Sequence, residues 1–129
     1  MLDHLSLGTA NLERATAFYD AALAPLGVVR VWTYPDAVGY GHAGGDDKLA
    51  IKQRPGFIAP VAGFHLALTA RAQSEVDAFF RAALAHGGTS DGEPGLRPQY
   101  GPGYYAAFVV DPDGHRMEAV CHEPSGSGA

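Results

Sequence analysis

Two histidines, His4 and His65, open two copies of one short pattern. His4-Leu5-Ser6-Leu7 returns as His65-Leu66-Ala67-Leu68, and Ala17-Phe18-Tyr19-Asp20-Ala21-Ala22-Leu23 returns as Ala78-Phe79-Phe80-Arg81-Ala82-Ala83-Leu84, both at an offset of 61 residues (4 to 65, 17 to 78). Imidazole is the side chain that binds a divalent metal or exchanges a proton near neutral pH, and on a mostly apolar strand it is also a common buried, hydrogen-bonded core group. In an extended chain successive side chains point to opposite faces. His4 and Ser6 therefore share one face, as do His65, Ala67 and Thr69, while the leucines take the other. The leucine face suits packing on a helix; the histidine face suits a cavity.

The elements that must position these histidines follow from the same repeat. A strand-then-helix unit present twice at so long a period predicts paired half-domains rather than a solenoid. In the first half a strand over 2–8 leads to the N-cap Asn11 and a helix to about Leu23, with Glu13 at its positive end and Pro25 and Gly27 closing it. The runs Val28 to Tyr34, Ala37 to His42 and Lys48 to Gln53 read as three strands. After a connector from Pro55 to Pro60, a strand from Gly63 to Thr69 and a helix from Gln73 to about Ala85 repeat the plan. A Gly/Pro-rich segment, Pro94 to Gly103, then precedes a strand from Tyr104 to Val110. The turn Asp111-Pro112-Asp113-Gly114 sets the register of a last strand, His115 to Cys121. The fold class is α+β: one domain over 1–122, a first module over about 1–54, a second over about 61–122, and a solvated tail at 123–129. In the last strands of the two halves Ala50 lies under Glu118, an offset of 68 (50 to 118). The difference falls in the longer Gly/Pro loop, which is expected to contact substrate or act as a lid.

Composition narrows the partners. A chain of 129 residues, 47% hydrophobic and 18% charged, has room for one core that its halves must share. Nine basic against fourteen acidic residues give a net charge of -5 without a Lys/Arg cluster, which argues against nucleic acid and anionic membranes. There is no signal-peptide pattern or long apolar run, and the single cysteine, Cys121, suits a reducing compartment, so a soluble cytoplasmic protein is expected.

Three stretches carry a resemblance. Asp3-His4-Leu5-Ser6-Leu7, then Leu12-Glu13-Arg14-Ala15 with Ala17-Phe18-Tyr19, and the ending Asp111-Pro112-Asp113-Gly114-His115-Arg116-Met117-Glu118, set in the duplicated plan, resemble the vicinal oxygen chelate superfamily. That superfamily holds glyoxalase I, the extradiol dioxygenases, the fosfomycin-resistance enzymes and the bleomycin-resistance proteins. The resemblance covers residues 1 to about 122. It implies two βαβββ modules closing a curved eight-stranded cup with the helices outside, and metal ligands from the first and last strand of each module. Those positions are His4, Ala50, His65 and Glu118 here. His4, His65 and Glu118 can bind a divalent metal (Fe, Mn, Zn or Ni) with positions open for substrate; Ala50 cannot. Glyoxalase I resembles a four-ligand site whose second carboxylate shuttles a proton, so its absence here disfavours that isomerase. The resemblance implies instead a metal-dependent dioxygenase, lyase or transferase on a small oxygen-bearing substrate, and a homodimer that in some members exchanges modules. The alternative it offers is a metal-free protein that sequesters a small molecule, as the bleomycin-resistance group does.

Other candidates have a structural reading beside the chemical one. Tyr100, Tyr104 and Tyr105 flank the Gly-rich loop, where a phenol suits an oxyanion and equally suits aromatic packing. Arg97 and Gln99 suit an anionic substrate group or plain solvent. Arg116 shares the parity of Glu118 and is placed to pair with it or to face the cavity. Trp32, Tyr34 and Tyr40 form either a wall for an aromatic substrate or core. His42 and Lys48 are weaker acid-base candidates, His86 and His115 are expected to be solvated or capping, and Cys121 to be a small buried hydrophobe.

Overall fold

A computed structural model describes residues 1–60 and 62–122, so the expected tail at 123–129 lies outside the described residues. The chain runs β1 (Leu5–Thr9), α1 (Leu12–Leu23), a 3-10 turn (Ala24–Leu26), β2 (Val29–Tyr34), β3 (Ala37–Gly41) and β4 (Leu49–Gln53). It continues with β5 (Leu66–Thr69), α2 (Gln73–Ala85), β6 (Thr89–Leu96), a second 3-10 turn (Pro98–Tyr100), β7 (Tyr104–Val110) and β8 (Arg116–His122). These are two βαβββ modules, and their eight strands build the cup as two four-stranded sheets of identical order, β1-β4-β3-β2 and β5-β8-β7-β6. In each, the first strand runs parallel to the last, which the crossover through a helix makes possible.

Helix α1 begins where Asn11 accepts a hydrogen bond from the Arg14 N–H at 3.0 Å, with Glu13 in the first turn. Helix α2 lacks such a cap at Ala72; the carboxylate of Glu75 reaches back to the Arg71 N–H instead, at 2.8 Å. The buried faces of the helices, Phe18, Tyr19, Ala22 and Leu23 on α1 and Val76, Phe79 and Ala83 on α2, join Leu7, Val38, Ile51, Val109, Met117 and Cys121 from the sheets in one core cluster. Each large apolar side chain in it contributes roughly 1.5–3 kcal/mol by leaving water. Among the described residues no helix is long and apolar enough to cross a membrane.

The hairpin turn 111–114 of the second module grips the first. Asp113 accepts from the Thr9 hydroxyl at 2.5 Å, the Ala10 N–H at 3.0 Å and the Arg14 guanidinium at 2.8 Å. Asp111 accepts from the buried Tyr19 hydroxyl at 2.5 Å, and His115 Nε2 lies 2.8 Å from the Gly8 carbonyl. His115 was expected in solvent; it is 2% exposed, wedged between Phe57 and Phe64, with ring centroids 5.3 and 5.8 Å away. The connector before the second module supplies Phe57, so closing the chain around β1 buries the imidazole.

Two further expectations are corrected. Both first strands start one residue after their histidine, at Leu5 and Leu66. The segment expected to be a Gly/Pro-rich loop, Pro94 to Gly103, begins as strand: β6 runs to Leu96 as an irregular edge that tolerates Pro94, and only from Arg97 on does the chain turn as expected. Gly92 there has a φ of 155°, open to glycine alone, and a side chain at that position would press on Phe108.

Candidate functional site

Cross-strand register brings four positions of the second module into one line: Ala67 of β5 faces Glu118 of β8, Glu118 faces Phe108 of β7, and Phe108 faces Gly92 of β6. The first module has the same line in Ser6, Ala50, Gly39 and Trp32. The equivalence of Ala50 with Glu118 is thus a matter of hydrogen-bonded register. In the first module the indole of Trp32 lies where a Gly39 Cβ would be, 2.3 Å from that point, so only glycine accommodates it.

Glu118 is a buried carboxylate, 1% exposed, on the face of β8 opposite the core residues Met117 and Ala119. Its Oε1 stands 2.6 Å from His65 Nε2, and its Oε2 accepts a hydrogen bond from the Tyr104 hydroxyl. Burial and the neighbouring carboxylate push the Tyr104 phenol up to about 12, so it stays a donor at any ordinary pH. His65 is half exposed, its ring 5.9 Å from that of Phe108. It opens on a groove lined by Phe64, Asp91, Tyr100, Phe108 and Arg116. Arg116 does share the face of Glu118, but it pairs with Asp91 at 2.8 Å.

The remaining candidates lie elsewhere. His4 Nδ1 is 2.6 Å from Asp3, whose carboxyl this hydrogen bond holds below its usual range, and the pair borders a different groove with Leu2, Lys48 and Leu66. Among the described residues no group of three or more His, Cys, Asp or Glu side chains converges. Tyr105 points to the helix side, where its hydroxyl donates to Asp77 of α2 at 2.6 Å; burial and that carboxylate raise it to about 12. Adjacent residues of one strand cannot share a face, so Tyr104 and Tyr105 cannot both serve the groove. Arg97 has its guanidinium on the carbonyls of Gly95 and Glu93, at 2.9 and 2.6 Å, and over the Phe108 ring at 5.3 Å. It braces the aromatic wall rather than waiting for an anion. Tyr40 is buried with its hydroxyl on Asp20, whereas Trp32 and Tyr34 lie against each other with centroids 5.2 Å apart. Cys121 is buried in the core, and His86 closes α2 with Nδ1 2.9 Å from the Ala82 carbonyl. Phe64, Asp91 and Phe108 were missed as groove residues. Counting back from the hairpin turn would have found Phe108, since the register places it opposite Glu118.

The donor set, an imidazole nitrogen and a carboxylate oxygen 2.6 Å apart, with the imidazole lining an open groove, suits a divalent cation such as Zn, Fe, Mn or Ni. It equally suits a shared proton.

Comparison with known proteins agrees with the fold. The model of the Glyoxalase/Bleomycin resistance protein/Dioxygenase superfamily matches residues 1–119. A glyoxalase/bleomycin resistance protein from Albidiferax ferrireducens T118 is similar at 30% identity and a TM-score of 0.75, over 91% of this chain and 94% of that one. A glyoxalase-related enzyme from Fulvimarina pelagi, at 23% identity, aligns with a TM-score of 0.72 over 93% and 86% of the two chains. The genomically encoded fosfomycin resistance protein FosX from Listeria monocytogenes, at 19% identity, shares the fold with a TM-score of 0.68 over 93% and 91%. No curated protein matches in sequence.

Proposed function

Because the chain belongs to the Glyoxalase/Bleomycin resistance protein/Dioxygenase superfamily, we propose that it is a divalent-metal-dependent enzyme of the dioxygenase, lyase or transferase type, acting on a small oxygen-bearing substrate. The observation that carries this reading is the buried Glu118 carboxylate, whose Oε1 lies 2.6 Å from Nε2 of His65, a residue that lines an open groove. His65 and Glu118 would hold the metal, and His4 of a second copy of the chain would supply the third ligand. A metal held there supplies Lewis acidity to substrate oxygens that chelate it.

The chain's own residues do the rest. His65 would serve as the nitrogen donor through Nε2 and Glu118 as the oxygen donor through Oε1. Phe64 and Phe108 exclude water from one side of the bound substrate. Arg116, held at the rim by Asp91, offers a positive charge to an anionic substituent.

His4 borders a separate groove, so a complete three-ligand site requires a homodimer. A mass near 13.5 kDa by light scattering at micromolar concentration would reject that arrangement. The function itself is tested by elemental analysis of protein prepared without chelator, where about one equivalent of a transition metal per chain is expected. No metal as isolated and none taken up on titration would sink the enzyme reading.

A second reading has one observation in its favour. Both oxygens of Glu118 already have partners within the chain, His65 and Tyr104, so the carboxylate is satisfied without a cation. A metal-free protein that sequesters a small molecule in the groove fits that arrangement, and the same analysis separates the two.

A further inference from the structure

We propose that Tyr104 is a positioning residue for Glu118: its hydroxyl takes Oε2 and so fixes the carboxylate as a one-oxygen donor, with Oε1 alone directed at His65. The inference rests on the reading of His65 and Glu118 as metal ligands.

Tyr104 is not the cross-strand neighbour of Glu118. Phe108 holds that place, and Tyr104 pairs with His122 at the far end of the hairpin. On the shared face only Ala106 and Val120 intervene. The small, fully buried Ala106 leaves the phenol room to run along the sheet to the carboxylate. The ring is fixed in that course by two edge-on contacts, with Tyr100 at 5.3 Å and 64° and with His122 at 5.1 Å and 89°. A tyrosine so held presents its hydroxyl at one point.

The chemical consequence follows from the freedom of a carboxylate. An unrestrained glutamate turns about its last bond and offers either oxygen, or both, to a cation. Here Oε2 is engaged and buried, so turning would strand a buried acceptor, which costs free energy. Such outer partners of a ligand typically set metal affinity by a factor of 10–100. Tyr105, on the opposite face with its hydroxyl on Asp77, provides an internal control for the loss of a part-buried phenol hydroxyl bonded to a carboxylate.

The test compares Tyr104→Phe and Tyr105→Phe with the unmodified chain, using Mn(II) as the probe and the 15N resonances of the His65 imidazole in metal-free protein as a second readout. Expected for Tyr104→Phe are a loss of Mn(II) affinity of about 10–100-fold and a shifted His65 Nε2 resonance, with both unmoved in Tyr105→Phe. Unchanged Mn(II) affinity in Tyr104→Phe overturns the proposal whatever the imidazole does. Equal losses in both variants also overturn it, because the effect would then be general destabilisation. Should the unmodified chain bind no Mn(II), Zn(II), Fe(II) or Ni(II), the metal-enzyme reading falls by itself. The imidazole signal then decides the role of Tyr104: moved, the phenol anchors the carboxylate; unmoved, it does not.

Discussion

Ala50 and Glu118 occupy the same place in the two sheets: Ala50 faces Ser6 across the first parallel pair as Glu118 faces Ala67 across the second. One position carries a buried carboxylate and the other a methyl group between Ser6 and Gly39. The first module therefore lacks, at this place, the ligand-type side chain that the second carries.

The chain is expected not to isomerise the hemithioacetal of methylglyoxal and glutathione at a rate typical of glyoxalase I. The missing carboxylate removes general-base catalysis worth roughly 10²–10⁴ in rate. Lys48 and Lys52 share the parity of Ala50 but would be repelled by a cation while protonated. Robust glutathione-dependent turnover after loading with Zn(II) or Ni(II) contradicts this, and its appearance on Ala50→Glu supports it.

His65→Ala and Glu118→Ala are each expected to abolish divalent metal binding, measured by calorimetric titration with Mn(II), Fe(II), Zn(II) and Ni(II). They should differ in stability. His65 is half exposed and its loss changes thermal unfolding little, whereas removing the buried carboxylate strands the Tyr104 hydroxyl and costs about 1–3 kcal/mol. Retained affinity in both variants would place any metal elsewhere.

Asp113→Ala should destabilise the fold by about 2–4 kcal/mol, because it removes the acceptor of Thr9, Ala10 and Arg14 at once. The midpoint of thermal unfolding should fall by on the order of 4 °C per kcal/mol. A change within error in denaturant unfolding would show that the turn does not hold the modules together.

Alkaline pH should destabilise the protein before its arginines respond. The phenols of Tyr19, Tyr40, Tyr104 and Tyr105 are all raised above the ordinary value of 10.0, by burial first and neighbouring acidic groups second. A raised value means that the folded state keeps protons the unfolded state releases. Their contribution is therefore complete below pH 10 and is lost as pH climbs toward 12. Tyrosinate absorbance of the native protein should lag that of the denatured chain across this window. Coincident titration curves would refute it.

The repeat was legible because two strands and two helices obey one offset, and the two parallel pairs share one register once the last strands are shifted by 68 rather than 61 residues. Glu118 was legible through the last-strand alignment and the resemblance. Less could be read where long-range packing overrides local composition. Pro94 and Gly95 read as loop, yet β7 offers an edge on which an irregular strand forms. His115 reads as a turn residue in solvent, and only the approach of Phe57 and Phe64 from distant segments encloses it. Tyr104 and Tyr105 were inseparable by composition until strand parity assigned one to Glu118 and the other to Asp77 of α2. His4 and His65 read as partners; the structure gives His4 to Asp3.

The turn between β7 and β8 holds Thr9 across a sequence separation of 104 residues. Contacts so distant along the chain must wait for the intervening loop to close, and chains dominated by them fold slowly. Each module can gather its own hairpin and helix early, while the grip of Asp113 and Asp111 on β1 and α1 forms when the modules dock. Weakening that grip should then speed unfolding more than it slows folding. A kinetic measurement on Asp113→Ala would register it as a steepened rate of opening with the refolding rate little changed.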